Sequence, residues 1–268
     1  MASEHVRTLV FGDDGSPAAD IAWLLINNHS WPGWQLEIIT ARPSAIGPPA
    51  SPERTVLHRW DPPQPRPVST EARFAHVVYL TAVTDPRLAL LRHCDLLVIG
   101  PRGPGLLKAL HVGSTADWLL VHPPAPLLIA RHGHTIRSVV LCSDGSPHAN
   151  RVTAALAHLP WVRQLDITVL VIDDSRTDVD DAIRAARVLL EPCGANVDMR
   201  VEIGKPSAMI HGHIDQTSPH LVALGTRGLS GLRHLSVCST ASAIARTSPC
   251  SVLVACDDGH VRPFAADR

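Results

Sequence analysis

The sequence lacks the features that would suit a membrane span, a zinc site or a nucleic-acid surface. No apolar run reaches the ~20 residues that a membrane helix needs. The six cysteines show no CxxC spacing, and no set of cysteines and histidines has zinc-ligand spacing. The formal net charge is −1, so no overall field draws the chain to nucleic acid or to acidic membranes. We therefore expect a globular cytoplasmic protein with buried free thiols, no metal ligands, and neither a membrane nor a nucleic acid as partner.

Residues 95–115 carry the most informative pattern in the chain. An apolar run at 96–99 ends at Gly100, and two further glycines follow at Gly103 and Gly105. A short apolar run that is closed by glycine indicates a buried strand. Glycine suits the loop that follows because a side chain would hold the backbone away from a bound anion.

A helix signal closes this loop. Gly113 follows Gly103 after nine intervening residues, and Ser114 and Thr115 then precede an apolar segment at 116–121. Serine or threonine before such a segment predicts a helix N-cap at one of these two residues. A strand, a glycine loop and a helix start together present backbone N–H groups to a phosphate.

The same design returns 125 residues later, from Gly100 to Gly225. The matching positions there are Gly225, Gly228, Ser239 and Thr240. Cys238 stands where the first copy has Gly113. The chain is therefore predicted to be two copies of one unit, with domains at 1–132 and 133–268.

Each copy also opens with a strand that leads into an Asp-Gly-Ser-Pro turn, at Asp14 and at Asp144. Alternating strand and helix patterns then predict five strands per copy. The second copy has an amphipathic helix pattern at 180–191, whereas the first copy has a proline-rich stretch at 42–70 in that place. We expect an α/β fold with two tandem, doubly wound, five-stranded parallel sheets, in which the first copy lacks its second helix.

The final apolar strand of each copy, at 127–130 and at 251–255, would leave an exposed sheet edge. Antiparallel pairing of these two strands within one chain would cover both edges and give a pseudo-dimer. The sequence leaves open a further homodimer of whole chains.

The glycine motif resembles that of the universal stress protein family in its tandem form. The family pattern is Gly-x2-Gly-x9-Gly-Ser/Thr, and the first copy matches it fully at Gly100, Gly103, Gly113 and Ser114. The second copy lacks only the third glycine. The resemblance covers most of the chain except 42–70 and both ends, and it implies strand order 3-2-1-4-5 in each copy.

The resemblance also implies ATP, with or without Mg²⁺, as the ligand. It implies that Asp14 meets the adenosine, that the backbone of Ala41 meets the adenine edge, and that the glycine loop wraps the phosphates. The implied first-copy residues are Gly12, Asp14, Ala41, Gly100, Arg102, Gly103, Gly105, Gly113, Ser114 and Thr115. The implied second-copy residues are Asp144, Val171, Gly225, Arg227, Gly228, Ser239 and Thr240.

The function expected from this pattern is a non-catalytic, ATP-binding stress or signalling protein with an unknown protein partner. One alternative is a nucleotide-free interaction scaffold of the same fold, which Cys238 and the missing helix favour. A second alternative is a slow ATP hydrolase. An adenylating ligase is disfavoured because its His-x-Gly-His motif opens the first helix, whereas His132-Gly133-His134 lies between the copies. No catalytic residue is predicted.

Overall fold

A single ten-stranded sheet forms the centre of the molecule. The computed structural model describes residues 6–42, 65–102, 113–121, 123–226 and 239–255. The strands are β1 (Arg7–Gly12), β2 (Trp34–Arg42), β3 (His76–Val83), β4 (Leu96–Ile99), β5 (Leu127–Ile129), β6 (Ser138–Ser143), β7 (Asp166–Asp173), β8 (Asn196–Ile203), β9 (Leu221–Gly225) and β10 (Ser251–Ala255). The helices are α1 (Pro17–Asn27), α2 (Pro86–Ala89), α3 (Ser114–Val121), α4 (Pro147–Ala157), α5 (Val179–Leu190), α6 (Pro206–Thr217) and α7 (Ser239–Thr247).

The strand order across the sheet is β3-β2-β1-β4-β5-β10-β9-β6-β7-β8. Read outward from β5 or from β10, each half presents its fifth, fourth, first, second and third strand in turn. The predicted α/β class with a mostly parallel sheet is confirmed. The two halves share one sheet and do not form two separate sheets. Sharing buries β5 and β10, which would be the exposed edge strands of separate sheets.

The halves meet where β5 and β10 pair in antiparallel fashion, as the sequence analysis expected. Ile129 lies opposite Val252, and Leu127 lies opposite Val254. Every other strand pair in the sheet is parallel. The predicted domain boundary, between residues 132 and 133, falls in the connection between β5 and β6. The division into two domains stays a prediction.

Two apolar cores cover the two faces of the sheet, and each continues across the junction. Buried side chains of α1, α4 and α5 pack on one face, and those of α2, α3, α6 and α7 pack on the other. Trp161 of the second half lies against His29 and Trp31 of the first, with ring centroids 4.1 and 5.9 Å apart. The continuous cores and this aromatic contact join the halves into one packed unit.

Segment 65–69 lies beside α1 in the first half. Its Ser69 N–H donates to Asn27 Oδ1 over 2.7 Å, and Val68 packs against the core. A short 3-10 turn, Thr70–Ala72, follows and accepts the Trp31 N–H through the Ala72 carbonyl. Most of the proline-rich stretch at 42–70 lies outside the described residues, so replacement of the second helix by that stretch remains a prediction.

Among the described residues, no helix is both long and apolar enough to cross a membrane.

Candidate functional site

The turn after β1 is built by its own side chains. The Asp14 carboxylate accepts the Ser16 N–H at 3.0 Å, and the Ser16 hydroxyl accepts the Ala19 N–H at 3.2 Å, which caps α1. Gly15 takes φ = 70°, a backbone angle that favours glycine. Asp14 itself is exposed. Its carboxylate therefore shapes the turn and also faces solvent at the carboxyl end of β1.

The turn after β1 and the loop after β4 come together, because β1 and β4 are neighbours. The Ser16 hydroxyl donates to the Arg102 carbonyl over 3.3 Å. The Gly113 N–H donates to the Pro101 carbonyl over 2.7 Å, which closes the base of the loop. These contacts place the two predicted ligand segments at one edge of the sheet, where parallel α/β sheets bind their ligands.

Gly100 and Gly225 have a packing role in the fold. A Cβ atom on Gly100 would stand 2.5 Å from the Ala18 carbonyl oxygen. A Cβ atom on Gly225 would stand 2.7 Å from the His148 carbonyl carbon. Ala18 and His148 hold equivalent places in the first turns of α1 and α4. These glycines are thus required by the close approach of helix and sheet, in addition to any role in ligand binding.

The second half repeats the first turn. The Asp144 carboxylate accepts the Ser146 N–H at 3.0 Å, and the Ser146 hydroxyl caps α4 through Ala149 N–H at 3.2 Å. Thr226 follows Gly225 at the start of the second glycine loop and is only 4% exposed. Its hydroxyl has no hydrogen-bond partner among the described residues. A buried hydroxyl without a partner is costly unless a water or a ligand satisfies it.

Ala41 in β2 and Val171 in β7 do not hold equivalent positions in the pairing of each strand with its neighbouring first strand. In the first half Gly12 pairs with Ile39, so Ala41 lies two residues past the end of the β1 ladder and pairs only with Ala82. In the second half Ser143 still pairs with Val171, so that residue lies within the β6 ladder. The residue equivalent to Ala41 by register is Ile172, one position later than the sequence analysis implied.

The helix after the first glycine loop begins at Ser114, which is one residue earlier than an N-cap at Ser114 would give and two earlier than an N-cap at Thr115 would give. Ser114 is the first residue of α3, and the Asp117 N–H donates to the Gly113 carbonyl. Ser114 and Thr115 therefore lie in the first helical turn rather than at the N-cap. Ser239 begins α7 in the same way, with Thr240 next in its first turn.

Some predicted site residues lie outside the described part of the chain. They are Gly103, Gly105, Arg227 and Gly228, together with Cys238. Gly12 lies at the end of β1, where a Cβ atom would come within 3.1 Å of Ile99 and Leu90. The described residues thus give the frame of each site, namely the turn, the ends of the glycine loop and the start of the helix.

Sequence reasoning missed one residue beside the first turn, Arg66. Its guanidinium donates to both carboxylate oxygens of Asp13, over 2.7 and 2.8 Å, and to Asp20 over 2.7 Å. The Asp13 hydrogen bonds, followed by the smaller contribution from Asp20, raise the pKa of Arg66. The signal that could have found it was Asp13, an extra acid where the second half has Ser143, because a buried acid needs a cation.

Burial raises the pKa of three of the described thiols, those of Cys94, Cys142 and Cys250. Burial raises the pKa of the Cys94 thiol to about 12, and Cys94, Cys142, Cys193 and Cys250 are all free. Within the described ranges, no group of three or more histidine, cysteine or acidic residues could hold a metal ion.

Comparison with known proteins relates the second half of the chain to one family. Residues 135–255 match the model of the Universal stress protein family. This second half, a little under half of the chain, is therefore similar to the universal stress protein family. A universal stress protein of Synechocystis is 23% identical over 163 residues, which are 59% of this chain and 57% of that protein. The chain thus spans little more than half of this relative. A universal stress protein homologue of Staphylococcus saprophyticus is 29% identical over 45% of this chain and 83% of its own length.

The solved structures of universal stress proteins share the fold over nearly the whole chain. A universal stress protein from Archaeoglobus fulgidus aligns with a TM-score of 0.67 at 16% identity, covering 95% of this chain and all of that one. A Pseudomonas aeruginosa protein of the same description aligns with a TM-score of 0.59, covering 94% of each chain. At this identity the likeness extends to the fold, and the ligand must be argued from the site.

Proposed function

We propose that this chain is a universal stress protein that binds ATP, with or without Mg²⁺, and acts as a non-catalytic stress or signalling module. The observation that carries the proposal is the contact between the Ser16 hydroxyl and the Arg102 carbonyl, which brings the Asp14 turn against the glycine loop. The full glycine signature of the first copy supplies backbone N–H groups for phosphates at this same edge. Occupancy would change the loop between Gly100 and Ser114 and so alter a surface for a protein partner.

The residues present suit an adenine nucleotide. Ala41 and Ile172 each lie past the ladder of the neighbouring first strand, so their backbone on that side is available to an adenine edge. We therefore replace Val171 with Ile172 in the proposed second site. Asp14 is exposed at the carboxyl end of β1 and can accept hydrogen bonds from a ribose.

The proposed first site comprises Gly12, Asp14 and Ala41 with the glycine loop and the start of α3. The proposed second site comprises Asp144, Ile172 and Thr226 with the second loop and the start of α7. The Thr226 hydroxyl, which lacks a partner among the described residues, supports a ligand or water at that loop. Cys238 in place of the third glycine favours weaker binding at the second site.

A universal stress protein family protein from Arabidopsis thaliana has been crystallised with AMP bound. Its likeness to this chain, 13% identity with a TM-score of 0.37, is too low to transfer the ligand. The proposal therefore rests on this chain's own turns, glycine loops and strand ends.

A nucleotide-free scaffold is the second candidate, because the contact of Gly100 with Ala18 accounts for that glycine without a ligand. Two measurements separate the candidates. Mass spectrometry of small molecules released from freshly purified protein would detect a bound nucleotide, and calorimetry would detect ATP binding. An adenine nucleotide in either experiment supports the proposal, and none in both supports the scaffold. Steady ATP turnover would instead support the hydrolase.

A further inference from the structure

Arg66 and Asp13 form an ion pair at the first site, in which Asp13 is buried and Arg66 is partly buried. The Arg66 side chain is 13% exposed and the Asp13 side chain is 3% exposed. The two groups meet in a bidentate arrangement, which is the strongest geometry for a guanidinium and a carboxylate. The guanidinium carbon also lies 5.8 Å from the centre of the Phe11 ring. Arg66 is therefore held in one place by its partners.

The ion pair is connected to the turn that carries Asp14. The Asp13 oxygen Oδ1 that accepts from Arg66 also accepts the Gly15 N–H at 3.0 Å. The next residue, Ser16, donates to the Arg102 carbonyl of the glycine loop. A continuous path of hydrogen bonds and backbone therefore runs from Arg66 through Asp13 and the turn to the loop.

The second half has a different arrangement at the same place. Ser143 stands at the position of Asp13, and its hydroxyl accepts the Gly145 N–H at 3.4 Å. The backbone of Ala182, in α5, packs there at 3.2 Å from a Cβ built on Gly145. A neutral serine needs no cation, whereas a buried carboxylate does. Asp13 and Arg66 therefore form a charge pair in the first half at the place where the second half has only Ser143.

The charge around the first turn explains why binding of an anionic ligand would depend on Arg66. Asp13, Asp14 and Asp20 place three carboxylates around the turn, where a nucleotide would bring further negative charge. Arg66 contacts Asp13 and Asp20 directly. Without the guanidinium, the buried carboxylate of Asp13 would repel the ligand and would lose its fixed position beside Gly15.

We propose that Arg66 is a positioning residue of the first nucleotide site, which neutralises Asp13 and so holds the Asp14 turn against the glycine loop. This inference rests on the proposed function for its ligand. Segment 65–69 supplies the residue, and the Tyr79 hydroxyl fixes its backbone by donating to the Arg66 carbonyl over 2.7 Å. The segment thus has a binding role beside the first turn.

A double-variant experiment tests the inference. ATP affinity is measured by calorimetry in an Asp144→Ala background, so that the first site dominates the signal. Arg66→Met is expected to weaken ATP binding by about ten-fold or more, because an unpaired buried charge is left at the turn. Asp13→Ser combined with Arg66→Met copies the neutral turn of the second half and is expected to recover most of the affinity. Arg184→Met, which removes an exposed ion pair with Asp181, is the control and should change nothing.

A second readout needs no nucleotide. Hydrogen exchange of the peptide that contains Gly15 and Ser16 should speed up in Arg66→Met and return towards wild type in the double variant. The inference is overturned if Arg66→Met leaves both readouts at wild-type values, or if the double variant stays as impaired as the single one. If wild-type protein binds no ATP, the proposed function is wrong, and the exchange measurement still decides whether Arg66 positions the turn.

Discussion

Gly100 lies so close to Ala18 that a Cβ atom built on the glycine would stand 2.5 Å from the Ala18 carbonyl oxygen. Gly225 has the same relationship to His148 in the other half. In both halves, therefore, the first turn of a helix rests directly on the backbone at the end of a central strand. This contact brings the Asp-Gly-Ser-Pro turn within reach of the glycine loop.

We predict that Gly100→Ala and Gly225→Ala destabilise the protein. The added methyl group would meet backbone atoms, which cannot turn aside as a flexible side chain can. The expected cost is towards the upper end of the ~1–3 kcal/mol that overpacking of a core causes. Urea unfolding of each variant measures the change in unfolding free energy.

Gly212→Ala is the matched control, because a Cβ atom there would meet nothing within 4 Å and the residue lies inside α6. Alanine is favoured over glycine by ~0.5–1 kcal/mol inside a helix, so this variant should be slightly more stable than wild type. Equal stability of all three variants would mean that helix and sheet are not in close contact at the two motif glycines.

Arg66→Met should also lower stability, because it leaves the Asp13 carboxylate buried without its partner. Removal of one member of a buried ion pair costs ~3–5 kcal/mol. Arg184→Met removes an exposed pair, with side chains 68% and 58% exposed, and should cost less than ~1 kcal/mol. Chemical denaturation measures both changes. A loss for Arg66→Met no larger than that for Arg184→Met would show that the buried pair is not formed.

His29 should make the junction between the halves sensitive to acid. Its Nδ1–H donates to the Leu25 carbonyl over 2.8 Å, and its Nε2 accepts the Ile136 N–H at 3.1 Å. Burial is the main cause that lowers its pKa from 6.5. The unfolded chain then takes up the proton at a higher pH than the folded protein does. The unfolding free energy should therefore fall progressively, because of His29, as the pH drops below about 6.5.

The measurement compares unfolding free energies between pH 7.5 and pH 5 for wild type and for His29→Gln. The other histidines titrate in both proteins, so the difference in slope belongs to His29. A flatter profile for the variant below pH 6.5 is expected. Parallel profiles would contradict a buried, neutral imidazole at this contact.

Cys94 should be inert in the folded protein. The side chain is 7% exposed, and burial raises its pKa to about 12. Roughly one thiol in ten thousand would then be ionised at pH 8, and the thiolate is the reactive form. Peptide mass spectrometry after iodoacetamide treatment should find Cys94 unmodified in native protein and modified in urea. Rapid alkylation under native conditions would contradict its burial.

Much of the fold could be predicted because local patterns determine it. Apolar runs that end in glycine marked β4 and β9, and the repeated Asp-Gly-Ser-Pro turn marked the starts of α1 and α4. The antiparallel pairing of β5 with β10 followed from the cost of two exposed apolar edges. These features depend on residues close together in the sequence, or on the general cost of an exposed apolar strand edge. Both can be recognised from the sequence alone.

The missed features depend on long-range geometry. Arg66 lies 53 residues from Asp13 in the chain, and a proline-rich stretch gives no periodicity from which to place it. The choice of Val171 in place of Ile172 for the second site has a similar cause. The interval from Gly12 to Ile39 is one residue shorter than that from Cys142 to Leu170, and only the strand register reveals it.

The central claim is that the turn at Asp14 and the loop after Gly100 hold an adenine nucleotide. Its most direct test is quantitative mass spectrometry of the small molecules released from protein purified without added nucleotide, followed by titration of the emptied protein with ATP. The account predicts an adenine nucleotide in the released fraction, or binding of ATP to the emptied protein that is weakened by Asp14→Ala. Protein that carries no nucleotide and gives no binding signal with ATP would contradict the account.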